Sequence, residues 1–197
     1  MNTALVISNI TLWVLVLGLA VVVMALARQI GVLHERIAPA GALMVRSGPL
    51  VGEAAPIVPV TDMNGRNITL GAASENARST LVFFLSPTCP VCKTLLPVLR
   101  SSGKAESDWL DIVLASDGDI EEQKKFISEY ELADFTYVLS EVLGMTFKVS
   151  KLPFAVLLDD EGIIRSKGLV NSREHLESLF EAKERGVSSV QEYLGKL

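Results

Sequence analysis

The chain has 197 residues, 49% of them hydrophobic, and a formal net charge of −5. That length suits one domain with an appendage rather than two full domains, and the apolar excess is gathered at the N-terminus. The acidic balance and the lack of any long Lys/Arg run argue against a nucleic-acid partner, because phosphate binding needs clustered cations.

From Ala4 to Ala27 no residue is charged, and Leu12 to Met24 is apolar all round. As a helix rising ~1.5 Å per residue, the stretch is long enough to cross ~30 Å of hydrocarbon, which predicts a membrane anchor over residues 1–28. The competing reading is a cleaved signal peptide, since Ala25-Leu26-Ala27 resembles a small-x-small cleavage site. No Lys or Arg precedes the apolar core and the core is long, so the anchor is preferred. Arg28, Arg36 and Arg46 all follow the span, and a positive-inside count on its own would leave the C-terminal domain in the cytoplasm.

Residues 29–50 read as a linker. A short helical continuation passes through His34, and Pro39, Gly41, Gly48 and Pro49 then break regular structure. A domain over residues 51–197 follows. Val58 to Thr61 and Asn67 to Leu70 are β-rich runs around Asn64-Gly65, a hairpin signal. Thr80 to Leu85 is a continuous apolar run of the kind buried on both faces of a sheet. The next helix presents Leu95, Leu96 and Leu99 on one face. Trp109 to Ala115 predicts a strand, and Asp119 to Tyr130 a polar helix with Ile120, Phe126 and Ile127 inward. Phe135 to Leu139 and Val142 to Val149 predict a weak strand and a short helix. Pro153 stands at the entry to an apolar strand ending at Leu158, and a proline belongs at such a start or at an edge. Asp159-Asp160-Glu161-Gly162 turns the chain into Ile163 to Val170. Ser172 to Arg185 forms a closing amphipathic helix with Leu176, Leu179 and Phe180 on one face and His175 toward solvent. A further short helix is expected over Gly186 to Leu197. Strands alternating with helices imply an α/β domain with a mainly parallel sheet.

The chemistry is concentrated between the apolar strand and its helix, in Ser86-Pro87-Thr88-Cys89-Pro90-Val91-Cys92-Lys93, which holds both cysteines of the chain. Two thiols at Cys-x-x-Cys spacing close a small disulfide ring. The first lies where unpaired N–H groups and the positive end of the helix dipole favour a thiolate. Pro90 suits the first helical position, where its missing N–H is no loss, so Cys89 is the cap and Cys92 lies one turn inside. Cys89 is thus the attacking thiol and Cys92 the resolving one. A zinc site needs about four ligands, and only His34 and His175 are available besides, far from each other in the chain. Covalent haem requires His after the second cysteine, where Lys93 stands. The sequence thus points to no metal and no cofactor. Two cysteines packing as small hydrophobes is the remaining structural explanation.

Strand, Cys-x-x-Cys helix, strand, helix, then Pro153 opening a hairpin and a last helix: this order resembles the thioredoxin fold. Val51-Gly52-Glu53-Ala54-Ala55-Pro56 and the N-terminal hairpin look like its membrane-anchored TlpA/ResA-type branch. More narrowly, Ser86 to Pro97 together with the single N-terminal span is similar to the MauD family of methylamine-utilization proteins. The fold class implied is a thioredoxin-like α/β fold with an N-terminal β-hairpin extension, preceded by one transmembrane helix. The resemblance further implies a cis proline at Pro153 beside the cysteines, with the Leu152 backbone offering a strand edge to an extended substrate. It implies a thiol–disulfide oxidoreductase or isomerase in the periplasm, single-pass in the inner membrane, assisting maturation of the disulfide-rich small subunit of methylamine dehydrogenase. The redox partner that recycles the pair is not identified by it, nor is the acid that would serve Cys92. Pro90 and Val91 shape the motif: the proline is shared with strongly oxidising Cys-Pro-x-Cys enzymes, but Val91 can neither hydrogen-bond nor carry charge.

Two other functions stay open at this point, and a third is ruled out by its motif. A thiol peroxidase would need Thr three residues before the cysteine and a proline ahead of it, and the positions hold Ser86 and Val82, so that pattern fails. A reductant for cytochrome c maturation would share the fold and the motif. A non-enzymatic chaperone could hold an apo-subunit, or Cu(I) between two soft thiolates.

Overall fold

The computed structural model describes residues 2–36, 48–74 and 76–185. Residues 37–47 of the expected linker and the short helix expected over Gly186 to Leu197 lie outside the described residues. The chain divides into two compact units, residues 1–43 and 44–197.

The first unit is one helix, α1 (Asn2–Arg36), which contains a span from Leu5 to Met24 with mean hydropathy 2.5 and no share of it buried in protein. Its polar Thr11 hydroxyl donates to the Ile7 carbonyl at 2.8 Å. Bonding back to the helix in this way supplies a polar group in an apolar segment with a partner that needs no water.

The second unit carries β1 (Val58–Thr61), β2 (Asn67–Leu70), β3 (Ser79–Phe84), α2 (Pro90–Ala105), β4 (Leu110–Ser116), α3 (Ile120–Glu129), a 3₁₀ turn (Leu132–Asp134), β5 (Thr136–Leu139), α4 (Glu141–Thr146), β6 (Phe154–Leu158), β7 (Ile164–Leu169) and α5 (Arg173–Arg185). Five strands form one sheet in the order β5-β4-β3-β6-β7, while β1 and β2 pair as a separate hairpin. β3 and β5 run parallel to β4; β6 is antiparallel to both β3 and β7.

Central strand β3 explains the layering. Its side chains alternate between two faces, and both faces are covered, which is why the strand reads as unbroken hydrocarbon. Leu81 and Phe83 pack with Leu95, Leu96 and Leu99 of α2, Phe126 of α3 and Leu176 and Phe180 of α5. Val82 and Phe84 pack with Val58, Val60 and Leu70 of the hairpin and with Leu143 and Phe147 at α4.

The hairpin turn is built by Asp62, whose carboxylate accepts the Asn64 and Arg66 N–H groups at 2.9 and 2.8 Å and meets Arg66 Nε at 2.7 Å. The chain entering the domain is stitched to the β6–β7 turn: Ala55 N–H donates to the Gly162 carbonyl at 2.9 Å and Ile164 N–H to the Glu53 carbonyl at 3.0 Å. Gly162 has φ +80°, and a Cβ there would sit 2.5 Å from the Gly71 carbonyl oxygen, so only glycine fits.

Two expectations change. Ile120 opens α3 but is 47% exposed, and Gln123 is the polar residue that turns inward instead. There its Oε1 accepts from the Tyr137 hydroxyl at 2.6 Å and its Nε2 donates to the Asp117 carbonyl at 2.6 Å, so both ends are satisfied. His175 is half-buried rather than solvent-facing, and its Nδ1 accepts the Asn171 N–H at 3.3 Å at the start of α5.

Candidate active site

The chain leaves β3 at Phe84, and Leu85 extends the sheet by donating its N–H to the Ala115 carbonyl at 2.9 Å. Ser86 then folds the next residues back. Its hydroxyl lies 3.0 Å from that of Thr88 and accepts the Thr88 N–H at 3.3 Å, while its carbonyl accepts the Cys89 N–H at 3.0 Å. This hydroxyl-based turn delivers Cys89 to the N-cap position of α2. Ser/Thr turns of this kind are local, so Ser-Pro-Thr ahead of the cysteine was the available sequence signal for it.

Cys89 is the N-cap, with extended backbone (φ −86°, ψ 110°) and Pro90 following at the first turn. The Cys92 N–H donates to Cys89 Sγ at 3.2 Å. Sulfur thus takes the place that a serine or aspartate oxygen usually fills at a helix start. Cys89 and Cys92 form a disulfide with their Cα atoms 5.3 Å apart, within the range such bridges span.

The two sulfurs have opposite settings. Cys89 is partly exposed, bordered by exposed Pro90 and by Val91, which is 39% exposed. Cys92 is 0% exposed and belongs to the hydrocarbon cluster of Phe83, Leu95 and Leu96. Next to Cys92, the Lys93 ammonium sits 5.6 Å from the centre of the Tyr130 ring, a contact between two helices that no local pattern predicts. Among the described residues the buried carboxylates are Asp62 and Asp159, and each is paired with an arginine, Arg66 or Arg165.

The Leu152–Pro153 peptide bond is cis. Phe84 pairs with Phe154 across β3 and β6, so continuing the register by one residue sets Pro153 opposite Leu85, at the sheet end where β3 hands the chain to Cys89. Pro153 is buried and its carbonyl accepts the Val170 N–H at 3.1 Å. Leu152 is 38% exposed, and its own N–H and C=O have no partner among the described residues. The topology thus gathers Cys89, Pro90, Val91, Cys92, Leu152 and Pro153 at one end of the sheet.

The His34 side chain lies outside the described residues, and the His175 Nδ1 accepts the Asn171 N–H at the start of α5. No cluster of three or more metal-ligating side chains occurs among the described residues. A cleft of 1050 Å³ lies between β2, the end of α2 and the start of β4, and none of the six site residues lines it.

A disulfide closed across the first turn of a helix, one sulfur open to solvent and one sealed beneath it, on a sheet of this order, defines a thioredoxin-fold thiol–disulfide oxidoreductase. Solved structures share the fold. The thioredoxin domain of a thiol-disulfide oxidoreductase from Bacteroides vulgatus superposes with a TM-score of 0.57 at 23% identity, covering 72% of this chain and 100% of that one. A secreted disulfide oxidoreductase of Mycobacterium tuberculosis does so with a TM-score of 0.53 at 22% identity, covering 64% and 95%. The AhpC/TSA family model matches residues 51–187. Methylamine utilization protein MauD of Paracoccus denitrificans is 47% identical over 98% of this chain and 96% of its own length, and MauD of Methylorubrum extorquens is 46% identical over 96% and 92%. The chain belongs to the AhpC/TSA family and, by these relatives, to the MauD methylamine utilization proteins.

Proposed function

We propose that Cys89 and Cys92 exchange disulfides with a protein substrate on the periplasmic side of the cytoplasmic membrane, and that the substrate is the small subunit of methylamine dehydrogenase during its maturation. The observation that carries the chemistry is the unequal exposure of the two sulfurs in one disulfide at a helix N-terminus. The kinship with MauD proteins supports the substrate. A disulfide-forming role needs an oxidising compartment, which favours the periplasm over the arginine count. Residues 1–28 serve as the anchor, 29–50 as the linker and 51–197 as the working domain.

As oxidant, the pair works in two displacements. A substrate thiolate attacks Cys89 Sγ; the Cys89–Cys92 bond breaks, and Cys92 departs with the electron pair and takes up a proton. A second substrate thiolate then attacks the substrate sulfur of the mixed disulfide and expels Cys89 as a thiolate. The substrate has lost two electrons and two protons, and the pair has gained two electrons. Leaving charge on Cys89 is favoured because the Cys92 N–H and the helix dipole already point at that sulfur. Pro90 and Val91 shape the exposed approach to Cys89, while Leu152 supplies unpaired backbone beside which an extended substrate can lie, with Pro153 fixing that segment against the sheet.

The reduction potential of the pair decides the direction. An oxidant or isomerase gives a value near or above about −180 mV, and a reductant such as cytochrome c maturation requires gives one near about −270 mV or below. A value in the lower range would overturn the oxidising role and leave the exchange chemistry intact.

A further inference from the structure

We propose that the exposed side of α4, with the segment Gly48–Leu50 beside its end, is a membrane-contact face that seats the domain on anionic phospholipid headgroups. This rests on the reading of residues 1–28 as an anchor. Leu143 and Phe147 turn inward and fix α4 on the core. Val142 and Met145, three residues apart and so neighbours on the helix surface, are left 59% and 62% exposed. Leu50 is 49% exposed. Large apolar side chains standing in water together mark a surface that meets something else.

Charge identifies the occupant. The protein is acidic, with a formal net charge of −5, yet from Val142 to Leu158 its charged residues are Lys148 and Lys151, both cationic and both exposed. Apolar side chains flanked by lysines suit the boundary between headgroups and acyl chains of an anionic bilayer. Glu141 is the opposing charge, placed in the first turn of α4 where the helix dipole favours it. Ile120, 47% exposed, stands instead between Asp119 and Glu121, which an anionic surface repels.

The path of the chain points the same way. Residues 37–47 join Arg36, the last residue of α1, to Gly48, and a chain of that length reaches at most about 40 Å. Gly48 arrives against the end of α4: a Cβ there would lie 2.5 Å from the Phe147 carbonyl oxygen and 3.4 Å from Lys148 Cβ. The Lys167 ammonium holds the next residue by donating to the Pro49 carbonyl at 2.6 Å. The part of the domain that the chain first meets after the anchor is thus the end of α4, beside Lys148. Two lysines and three apolar side chains make a weak contact between separate bodies. A covalent tether makes it intramolecular, at an effective concentration on the order of millimolar, which lets a weak contact persist.

The test uses the full-length protein, one copy per lipid nanodisc, in discs of phosphatidylcholine with or without phosphatidylglycerol. Acetylation of Lys148 and Lys151 by a water-soluble ester is followed by mass spectrometry, and each rate is divided by that of Lys125, an exposed residue of α3. The expected result is at least a fivefold slowing in the discs with phosphatidylglycerol relative to those without, lost in about 1 M sodium chloride, which screens the headgroups. Met145→Asp is expected to abolish the slowing at low salt, and Val142→Asp serves if Met145→Asp does not fold. Equal rates in the two kinds of disc, or a slowing that survives either high salt or both substitutions, would overturn the contact. A slowing confined to discs that hold two copies would assign the face to a second copy of this chain and overturn it too. In each of these cases the anchor still stands. Failure of the protein to enter the discs would overturn the anchor, and the contact face with it.

Discussion

The Cys92 backbone N–H points at Cys89 Sγ from 3.2 Å, so the sealed residue of the pair supplies a hydrogen bond to the open one. A donor held there by the helix remains when the disulfide is reduced and stabilises charge on Cys89, as an N-cap donor does for a carboxylate. Iodoacetamide at neutral pH is therefore expected to label Cys89 in the reduced protein and to spare Cys92. Cys89→Ser is expected to abolish exchange, whereas Cys92→Ser leaves a stable mixed disulfide with substrate. Mass spectrometry of the labelled and trapped species checks both, and labelling of Cys92 ahead of Cys89 would reverse the roles.

The second prediction concerns sidedness. A reporter active only in the periplasm, fused after Leu197, is expected to be active, and one active only in the cytoplasm silent. Activity of the cytoplasmic reporter alone would place Cys89 in a reducing compartment and remove the basis for a disulfide-forming role.

Tyr137 gives a pH dependence. Burial pushes its hydroxyl up from 10.0 to about 12, against a smaller opposing effect of a hydrogen bond with Ser116. Between those values the folded protein keeps a proton that the unfolded chain has lost, so stability falls as pH rises through that window and is fully present below it. Tyr137→Phe is expected to remove this alkaline loss. At neutral pH it costs about 1–3 kcal/mol, because Gln123 Oε1 is left buried without its donor. Urea unfolding at neutral and alkaline pH separates the two effects.

The hairpin attachment gives a fourth. Gly162→Ala is expected to destabilise the domain by about 1–3 kcal/mol through backbone strain at positive φ, increased by the collision with the Gly71 carbonyl. Thermal unfolding of the variant measures it. An unchanged midpoint would mean that the β6–β7 turn relaxes freely.

What could be read from the chain depended on whether the cause was local. The cap role of Cys89 and the position of Pro90 follow from neighbours in sequence, and both strands of the hairpin begin and end where the β-rich runs do. The inward turn of Gln123 was invisible because its partner, Tyr137, lies on another element, and periodicity counts hydrocarbon rather than satisfied amides. Ile120 misled for the same reason, being apolar in the first turn of α3 where the side chain faces water. The Tyr130 ring under Lys93 carried no signal either, since the two lie on different helices that meet only in the fold.

The burial of Cys92 has a kinetic consequence. With two cysteines in the chain and one of them sealed, every thiol that enters the reaction must use Cys89. The substrate and whatever reoxidises the pair are then rivals for a single atom, and neither can occupy it while the other does. Turnover should show the parallel double-reciprocal lines of a ping-pong reaction, with excess reduced substrate slowing reoxidation, and the two partners should resemble each other in the short stretch that lies against Leu152.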